Sequence, residues 1–348
     1  MAEPPIHAIN GVFSGGGIKG VALAGAAAGA MDAGYRFDHA VGTSAGALVA
    51  SLVAAGYQPD ELGAAVRWIP WPQLLDWLPV TKVPVVGKAL AMTFHKAQCA
   101  GDVIEATWAS LLAAKGIATF ADLAPGTLRI VATDITHQRG VVLPDDLPDY
   151  GIDPAGFSVA RAVRMSSAVP FFLRPVPLRN PATGDVALLA DGAMTANFPI
   201  RVARRSKVWP VIGFRFLDSQ AHTHIRVRGP ASLARAVVTA GIRAGEVMAL
   251  TSKNDAVVVD LRSDRDPLQF DITPDEASLM FDEGRRRASH RLTSTEPLPE
   301  EEYGLFTDVS ASEMTPGVPA ASRRLASRVA GAIDGWRRDL PPLRRSSH

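Results

Sequence analysis

Cysteine is nearly absent from this chain, since Cys99 is the only one in 348 residues. A single cysteine excludes an internal disulfide and a zinc site built from cysteine ligands, and it fits a reducing compartment. Net charge is nearly absent as well, because 36 Lys and Arg residues balance 35 Asp and Glu residues. No field of one sign covers the chain, so we do not expect nucleic acid as a partner.

Long apolar runs are also missing. No stretch reaches the ~20 apolar residues that cross a bilayer, and the richest, residues 21–30, contains two glycines. The first residues do not resemble a secretory signal, because Glu3 and two prolines are soon followed by Gly11 and a run of glycines. We therefore expect a cytoplasmic protein, with peripheral contact at a membrane left open. The hydrophobic share of 47% is enough for a sizeable core.

A serine with a glycine two residues away on either side lies early in the chain. Gly42, Ser44 and Gly46 stand between an apolar run that ends at Val41 and a helix-compatible run over residues 47–55. Strand, tight turn and helix in this order lift a hydroxyl clear of a sheet, where glycine lets the backbone approach closely. Ser44 is therefore a candidate nucleophile at the positive end of the following helix. The pattern alone is equally typical of a surface turn.

A Gly-rich turn joins a predicted buried strand, residues 6–13, to an Ala-rich helix predicted over residues 21–33. The N–H groups of such a turn converge on one point and form an anion site. A P-loop is excluded, because no Lys followed by Ser or Thr comes after Gly20. One interpretation is an oxyanion hole, whose donors stabilise the charge that develops on an ester carbonyl after Ser44 attacks.

Dinucleotide binding is the competing interpretation of the same turn. Gly15, Gly17 and Gly20 satisfy G-x-G-x-x-G, and Asp38 lies about twenty residues further on. In a dinucleotide fold, however, the acidic residue ends the second strand. Here we expect Asp38 to precede the second strand, which ends instead at Gly42 and Ser44.

A third motif follows a short apolar strand predicted over residues 186–190, where Asp191, Gly192 and Ala193 come next. Asp-Gly is often only a turn signal. After a buried strand it could equally hold a carboxylate at the sheet edge where Ser44 lies. Further strands are predicted over residues 128–133, 141–143, 208–216 and 256–261, and helices over residues 60–68, 102–115, 158–167, 231–251 and from Thr273, where a capping box and Pro274 mark the start.

Two segments raise the question of lipid contact. Residues 69–94 interleave tryptophans, among them Trp71 and Trp77, with prolines that forbid one long helix. The segment is either a lipid-facing rim, since Trp favours membrane interfaces, or a cover over the core. From Thr293 we predict an acidic linker and then an arginine-bearing amphipathic helix over residues 320–338, which packs on the domain or binds anionic lipid.

In order, spacing and residue identity, the Gly-rich turn, Ser44 and the Asp191 motif resemble those of the patatin-like phospholipase family, in which a Ser and Asp dyad hydrolyses acyl esters of lipids. The resemblance is closest over residues 9–199 and includes Ser167, Ala168, Pro170, Asn197 and Pro199. It implies a three-layer α/β/α fold with a mainly parallel central sheet. It also implies an acyl hydrolase domain over residues 1–292, followed by the extension over residues 293–348.

The resemblance further implies roles for single residues. Ser44 would be the nucleophile and Asp191 the base, with Lys19 in the place of the family's basic residue, where it supports a head group or the oxyanion or only meets solvent. The implied substrate is a phospholipid or another lipid ester, and no metal or cofactor is implied. The oxyanion donors would be Gly15, Gly16 and Gly17, and the remaining motif glycines are Gly20, Gly42, Gly46 and Gly192.

A carboxylate with an ordinary pKa of about 3.9 is a weak base for a serine, so the dyad needs desolvation to raise that pKa. A conventional triad would instead use a His that follows the acid, and His222, His224 and His290 do so without any distinctive motif. Acyl transfer to an alcohol through the same serine is the nearest variant. A nucleotide-binding oxidoreductase and a lipid-binding module without turnover are the alternatives from other classes.

Overall fold

The computed structural model describes residues 7–82, 96–204, 210–217, 257–263 and 265–293, with a few isolated positions between 227 and 240. The strands are β1 (His7–Phe13), β2 (Tyr35–Thr43), β3 (Leu128–Asp134), β4 (Arg139–Leu143), β5 (Val176–Arg179), β6 (Val186–Asp191), β7 (Val211–Leu217) and β8 (Val257–Arg262). The helices are α1 (Gly20–Asp32), α2 (Ala45–Ala54), α3 (Pro59–Trp68), α4 (Asp102–Ala113), α5 (Val159–Ser166), α6 (Ala193–Ala196), α7 (Ile200–Arg204) and α8 (Pro274–Thr293). Within these ranges no helix has both the length and the apolarity to cross a bilayer.

The strands form one mainly parallel sheet in the order β5-β6-β3-β2-β1-β7-β8, with β4 beside β3. The neighbours β3, β2, β1, β7 and β8 all run parallel, whereas β4 and β6 are antiparallel to β3. Apolar side chains of β1 leave the sheet on both faces, since Ile9 and Phe13 join one buried cluster and Val12 joins the other. The expected three-layer α/β fold is therefore confirmed.

The register of β3 explains how two distant parts of the chain meet. Val131 pairs with Thr43 of β2, and the next residue, Ala132, pairs with Asp191 of β6. Strand β4 pairs with one edge of β3 at both Val131 and Ala132. Strands β2 and β6 must therefore both pair with the other edge of β3. They run in opposite directions and meet end to end there, which places Ser44 and Asp191 next to each other.

Helix α1 is packed against α8 at a very short distance. A side-chain Cβ at Gly25 would lie 1.9 Å from the Phe281 carbonyl oxygen, and one at Gly29 would lie 2.1 Å from that of Arg285. Gly284 of α8 lies equally close to α1, because a Cβ at Gly284 would be 2.0 Å from the Ala22 carbonyl oxygen. The small residues of α1 are therefore required by contact with a helix that comes about 250 positions later.

Most predicted elements occur within a few residues of the predicted bounds. The capping box at the start of α8 is confirmed, because the Thr273 N–H donates to the Glu276 carboxylate at 2.8 Å and the Glu276 N–H donates to Thr273 Oγ1 at 3.2 Å. The predicted helix over residues 231–251 falls mostly outside the described residues. The predicted linker and the helix over residues 320–338 lie wholly outside them, so the division at residue 293 stays a prediction.

One expectation was wrong, and one of two open alternatives is decided at Trp71. Asp38 does not precede the second strand but lies inside β2, since that strand begins at Tyr35. Trp71 does not belong to an exposed rim, because it is only 6% exposed and its indole N–H donates to the Val66 carbonyl. Trp77 does remain exposed, at 44%.

Candidate active site

Ser44 forms a strained turn between β2 and α2. Its backbone has φ 53° and ψ −122°, which is an unfavourable conformation for a residue with a side chain. Close backbone contacts surround the turn, because a Cβ at Gly42 would lie 2.2 Å from the Gly46 carbonyl oxygen and a Cβ at Gly46 would lie 2.2 Å from that of Phe13. Only glycine fits at both positions, and the hydroxyl of Ser44 is thereby held above the sheet.

The structure brings Ser44 and Asp191 into direct contact. Ser44 Oγ donates a hydrogen bond to Asp191 Oδ2 at 2.6 Å, and Asp191 Oδ1 accepts the Ala193 N–H at 2.8 Å. Gly192 allows this arrangement, since a Cβ there would lie 2.1 Å from the Val131 carbonyl oxygen. Both carboxylate oxygens therefore have a donor, and one of these donors is the predicted nucleophile.

Burial changes the basicity of Asp191. The side chain is removed from solvent, with 1% of its surface exposed, and this desolvation raises the pKa of Asp191 to about 6. The hydrogen bonds from Ser44 and Ala193 act in the opposite direction but are smaller in effect. The carboxylate is thus a stronger base than an exposed aspartate and is still mostly ionised at pH 7.

The Gly-rich turn lies against Ser44, but Gly15 is not available as an oxyanion donor. Its N–H donates to the Asn197 carbonyl at 3.0 Å, and a Cβ at Gly15 would lie 3.4 Å from that of Ser44. Ile18 uses its N–H to bond the Pro267 carbonyl at 2.9 Å. Within the described part of the chain, the N–H groups of Gly16 and Gly17 have no such acceptor. Gly16 and Gly17 therefore stay predicted donors, whereas the Gly15 N–H is already used.

Lys19 does not extend into solvent, which was one of the alternatives for this residue. It is 7% exposed, and its Nζ lies 5.7 Å from the centre of the Phe216 ring. A cation over an aromatic face is attracted by the ring. Gly20, the next residue, is the first residue of α1, and a Cβ there would lie only 2.8 Å from the Cβ of Ala45. Lys19 therefore precedes a helix that packs directly beside the serine turn.

Among the described residues, no histidine lies where a conventional triad would need one. His222 and His224 lie outside the described residues. His290 lies on α8 near Gly29, because Ser289 approaches that glycine, whereas Ser44 adjoins the opposite end of α1. Gly20 and Gly29 are nine residues apart on α1, which corresponds to about 13 Å along the helix axis. His137 is hydrogen-bonded to Asp134, and His39 Nδ1 lies 2.8 Å from the Gly126 carbonyl oxygen. The described hydrogen bonds of Ser44 and Asp191 involve no histidine.

The dinucleotide interpretation also loses its main support. Asp38 lies in the interior of β2, and both oxygens of its carboxylate accept hydrogen bonds from Arg36, at 2.6 and 3.1 Å. The second strand ends at Thr43 and leads into Ser44, so no acidic residue stands where a ribose would be bound. In the described ranges, no three His, Cys, Asp or Glu side chains form a group suited to a metal ion.

Sequence reasoning gave no catalytic role to two polar residues that contact the site. Asn197 supplies the carbonyl that takes the Gly15 N–H, and Ser166 Oγ accepts the Ser44 N–H at 2.8 Å. Both are buried, at 5% and 0% exposed. Their side chains are ordinary in type, so the only signal was their position within the stretches that carry the family resemblance.

Comparison with known proteins agrees with the motifs. The patatin-like phospholipase family model matches residues 11–204. The uncharacterized protein YqhO of Bacillus subtilis (strain 168) is 44% identical over 209 residues, which is 59% of this chain and 70% of that protein. The cUMP-AMP-activated phospholipase of Escherichia coli is 31% identical over 176 residues. That match covers 47% of this chain and less than half, 46%, of the relative.

A solved structure is also similar. The crystal structure of VipD from Legionella pneumophila aligns with a TM-score of 0.43 and 16% sequence identity. The alignment covers 83% of this chain and 67% of that one.

Proposed function

This chain belongs to the patatin-like phospholipase family, and we propose that it is a serine acyl hydrolase of phospholipids or related lipid esters that acts through Ser44 and Asp191. The observation that carries the proposal is the 2.6 Å hydrogen bond from Ser44 Oγ to Asp191 Oδ2. A serine in a strained turn, bonded to a buried carboxylate of raised pKa, is the arrangement that activates a hydroxyl for attack.

The proposed reaction has two halves. Ser44 Oγ attacks the ester carbonyl carbon while its proton moves to Asp191 Oδ2, and the carbonyl oxygen becomes an oxyanion. The C–O bond to the leaving alcohol, a lysophospholipid, then breaks, and that oxygen takes the proton from Asp191. In the second half, water attacks the acyl-enzyme, its proton goes to Asp191, and the fatty acid leaves as Ser44 regains a proton.

We further propose that the N–H groups of Gly16 and Gly17 stabilise the oxyanion. Preorganised backbone donors of this kind are each worth on the order of 10² to 10³ in rate. Lys19 lies beside them, since its Cβ is 3.5 Å from the position of a Cβ at Gly16. Its burial favours support of the oxyanion over a contact with a solvent-exposed head group.

The test combines a covalent probe with product analysis. We expect a fluorophosphonate probe to label Ser44, as read by peptide mass mapping. We expect mixed phosphatidylcholine and phosphatidylglycerol vesicles to yield free fatty acid and lysophospholipid. Acylated alcohol formed from added glycerol would identify the acyl-transfer variant. No labelling and no product from folded protein would exclude hydrolysis and leave a lipid-binding module.

The raised pKa of Asp191 predicts how the reaction depends on pH. The base must be ionised, so kcat/KM should fall as the pH drops through about 6, where the pKa of Asp191 lies. Below that pH the loss approaches tenfold per unit. A soluble nitrophenyl ester, assayed between pH 4.5 and 8, gives the profile without any effect on vesicles. A flat profile down to pH 4.5 would contradict Asp191 as the base.

Peripheral contact with a membrane is a second part of the proposal. Trp77 and Phe171 are 44% and 40% exposed, and Trp77 packs edge-on against Phe172 at 5.9 Å. Phe171 also has a left-handed backbone, at φ 67°. This patch adjoins the site, because Ala168, three residues before Phe171, accepts the Asp191 N–H at 2.9 Å. Exposed Trp and Phe side chains favour the membrane interface.

Replacing both Trp77 and Phe171 with Ala is expected to weaken binding to lipid vesicles by about tenfold, because each side chain loses favourable apolar burial. Turnover of the soluble ester should not change. The control is Val257→Ala, which removes an apolar side chain that is also exposed, at 43%, but lies on β8. Equal vesicle co-sedimentation of the double variant and the wild type would remove the membrane part of the proposal.

A further inference from the structure

The strained backbone of Ser44 depends on contacts with other parts of the protein. A residue with φ 53° and ψ −122° is strained and keeps this conformation only where its surroundings hold it. The N–H of this residue points into the protein, where it donates to Ser166 Oγ at 2.8 Å. Ser166 Oγ donates in turn to the Val131 carbonyl at 2.5 Å. The buried hydroxyl of Ser166 therefore links the serine turn to β3.

The same short segment also holds the other half of the dyad. The Ala168 carbonyl accepts the Asp191 N–H at 2.9 Å, and the Ser166 carbonyl accepts the Gly192 N–H at 3.2 Å. Ser166 and Ala168 thus bond the backbone on both sides of the Ser44 to Asp191 contact, although Ser44 and Asp191 lie 147 positions apart in the chain. The end of α5 fixes this segment, since the Ser167 N–H donates to the Val163 carbonyl at 3.0 Å.

We infer that Ser166 is a positioning residue for the proposed reaction, whose hydroxyl sets the Ser44 turn so that Oγ stays aligned with Asp191 Oδ2. The inference rests on the proposed function, because it assumes that Ser44 is the nucleophile. Ser166 itself does not reach the reacting atoms, since both hydrogen bonds of its hydroxyl are with backbone groups. It acts by geometry, to which catalysis is very sensitive.

The test variant is Ser166→Ala, with Ser167→Ala as the matched control. Both serines are buried, at 0% and 6% exposed, but the hydrogen bond described for Ser167 Oγ goes to the Val163 carbonyl in α5, away from the dyad. Ser166→Ala leaves the Ser44 N–H without a partner, so we expect kcat on the soluble ester to fall by about 10- to 100-fold with KM little changed. Ser167→Ala should stay within about threefold of the wild type.

Two further readouts distinguish positioning from a general loss of structure. A displaced Ser44 would no longer bond Asp191, and this bond lowers the pKa of that carboxyl, so the acid limb of the pH profile should move upward in Ser166→Ala. In an Asp191→Asn background the effect of Ser166→Ala should nearly vanish, because the alignment that it disturbs no longer matters. Thermal unfolding confirms that each variant is folded. If the alanine variant does not fold, Ser166→Cys, with its weaker hydrogen bonds, replaces it in the same three measurements.

Each result decides the inference. A kcat equal to that of Ser167→Ala would overturn it. A lowered kcat with an unshifted pH profile and full additivity in the Asp191→Asn background would overturn it as well, because the role would then be structural only. Failure of the proposed function is separate, since Ser44→Ala would in that case retain turnover. Inactive Ser44→Ala together with unaffected Ser166→Ala would reject the positioning role alone.

Discussion

Ser44→Ala is expected to lower kcat on phospholipid vesicles and on a soluble ester by about 10⁴-fold or more, because it removes the oxygen that is proposed to form the acyl-enzyme. The remaining turnover would come from the proposed Gly16 and Gly17 donors and from substrate binding. The substitution keeps the Cβ and therefore the shape of the turn. Lipid product analysis by mass spectrometry, with purified variant and wild type side by side, measures the effect.

Ser51→Ala is the control for this loss of a buried hydroxyl. Ser51 lies on α2, the helix that follows Ser44, is 0% exposed and donates to the Leu48 carbonyl at 2.8 Å. It has no contact with Asp191, so turnover should stay within about threefold of the wild type. Comparable product from Ser44→Ala and wild type would mean that another group performs the chemistry.

Asp191→Asn is expected to lower kcat by about 10³-fold or more, since an amide cannot accept the proton of Ser44. The geometry should survive, because the Asn oxygen can still accept the Ala193 N–H and the amide can donate to Ser44 Oγ. Loss of catalysis with an intact fold would therefore report the base itself.

The same variant should gain stability at neutral pH. The folded-state pKa of Asp191, about 6, lies above its unfolded value, so its contribution is fully present below about pH 4 and is lost as the pH rises through 6. Asparagine has no such penalty, and the gain at pH 8 should be on the order of 2 to 3 kcal/mol in the free energy of unfolding. Urea unfolding at pH 4 and pH 8 measures it, with a smaller difference expected at pH 4.

Asp134→Asn gives the opposite sign and serves as the control. Asp134 ends the neighbouring strand β3 and is also buried. Burial acts to raise its pKa, but donors from His137, Tyr150 and Thr136 outweigh it and the pKa of Asp134 is lowered. Removing that charge should destabilise the protein at pH 8. A loss of stability in Asp191→Asn as well would contradict a desolvated, high-pKa carboxylate at position 191.

Local patterns predicted the elements well, because a strand that runs into a Gly-rich turn and an Ala-rich helix leaves little choice of structure. The partners of these elements were harder to predict. Ser44 and Asp191 meet because two antiparallel strands end beside β3. The sequence shows that a strand precedes Asp191, but the direction of β6 depends on pairing with residues about 55 positions away.

The surroundings of three predicted residues also depend on distant parts of the chain. Gly15 resembles a free donor in sequence, but its N–H is taken by a carbonyl from Asn197. Trp71 resembles an exposed aromatic among prolines, but a short helix turns it into the core. Lys19 follows a glycine turn of the kind that usually faces water, and here Phe216 from a distant strand covers it. In each case the deciding contact is with a tertiary neighbour that no local pattern encodes.

The glycine face of α1 has a practical consequence for dissecting this protein. The portion that matches the family ends at Arg204, yet Gly25 and Gly29 are fitted to the backbone of α8, and β1 pairs along its other edge with β7. A fragment that ends at Arg204 would expose the apolar face of α1 to solvent. It would also turn β1 into an unpaired edge strand, which is prone to association. Shortened versions of the chain should therefore keep residues up to at least 293, where α8 ends.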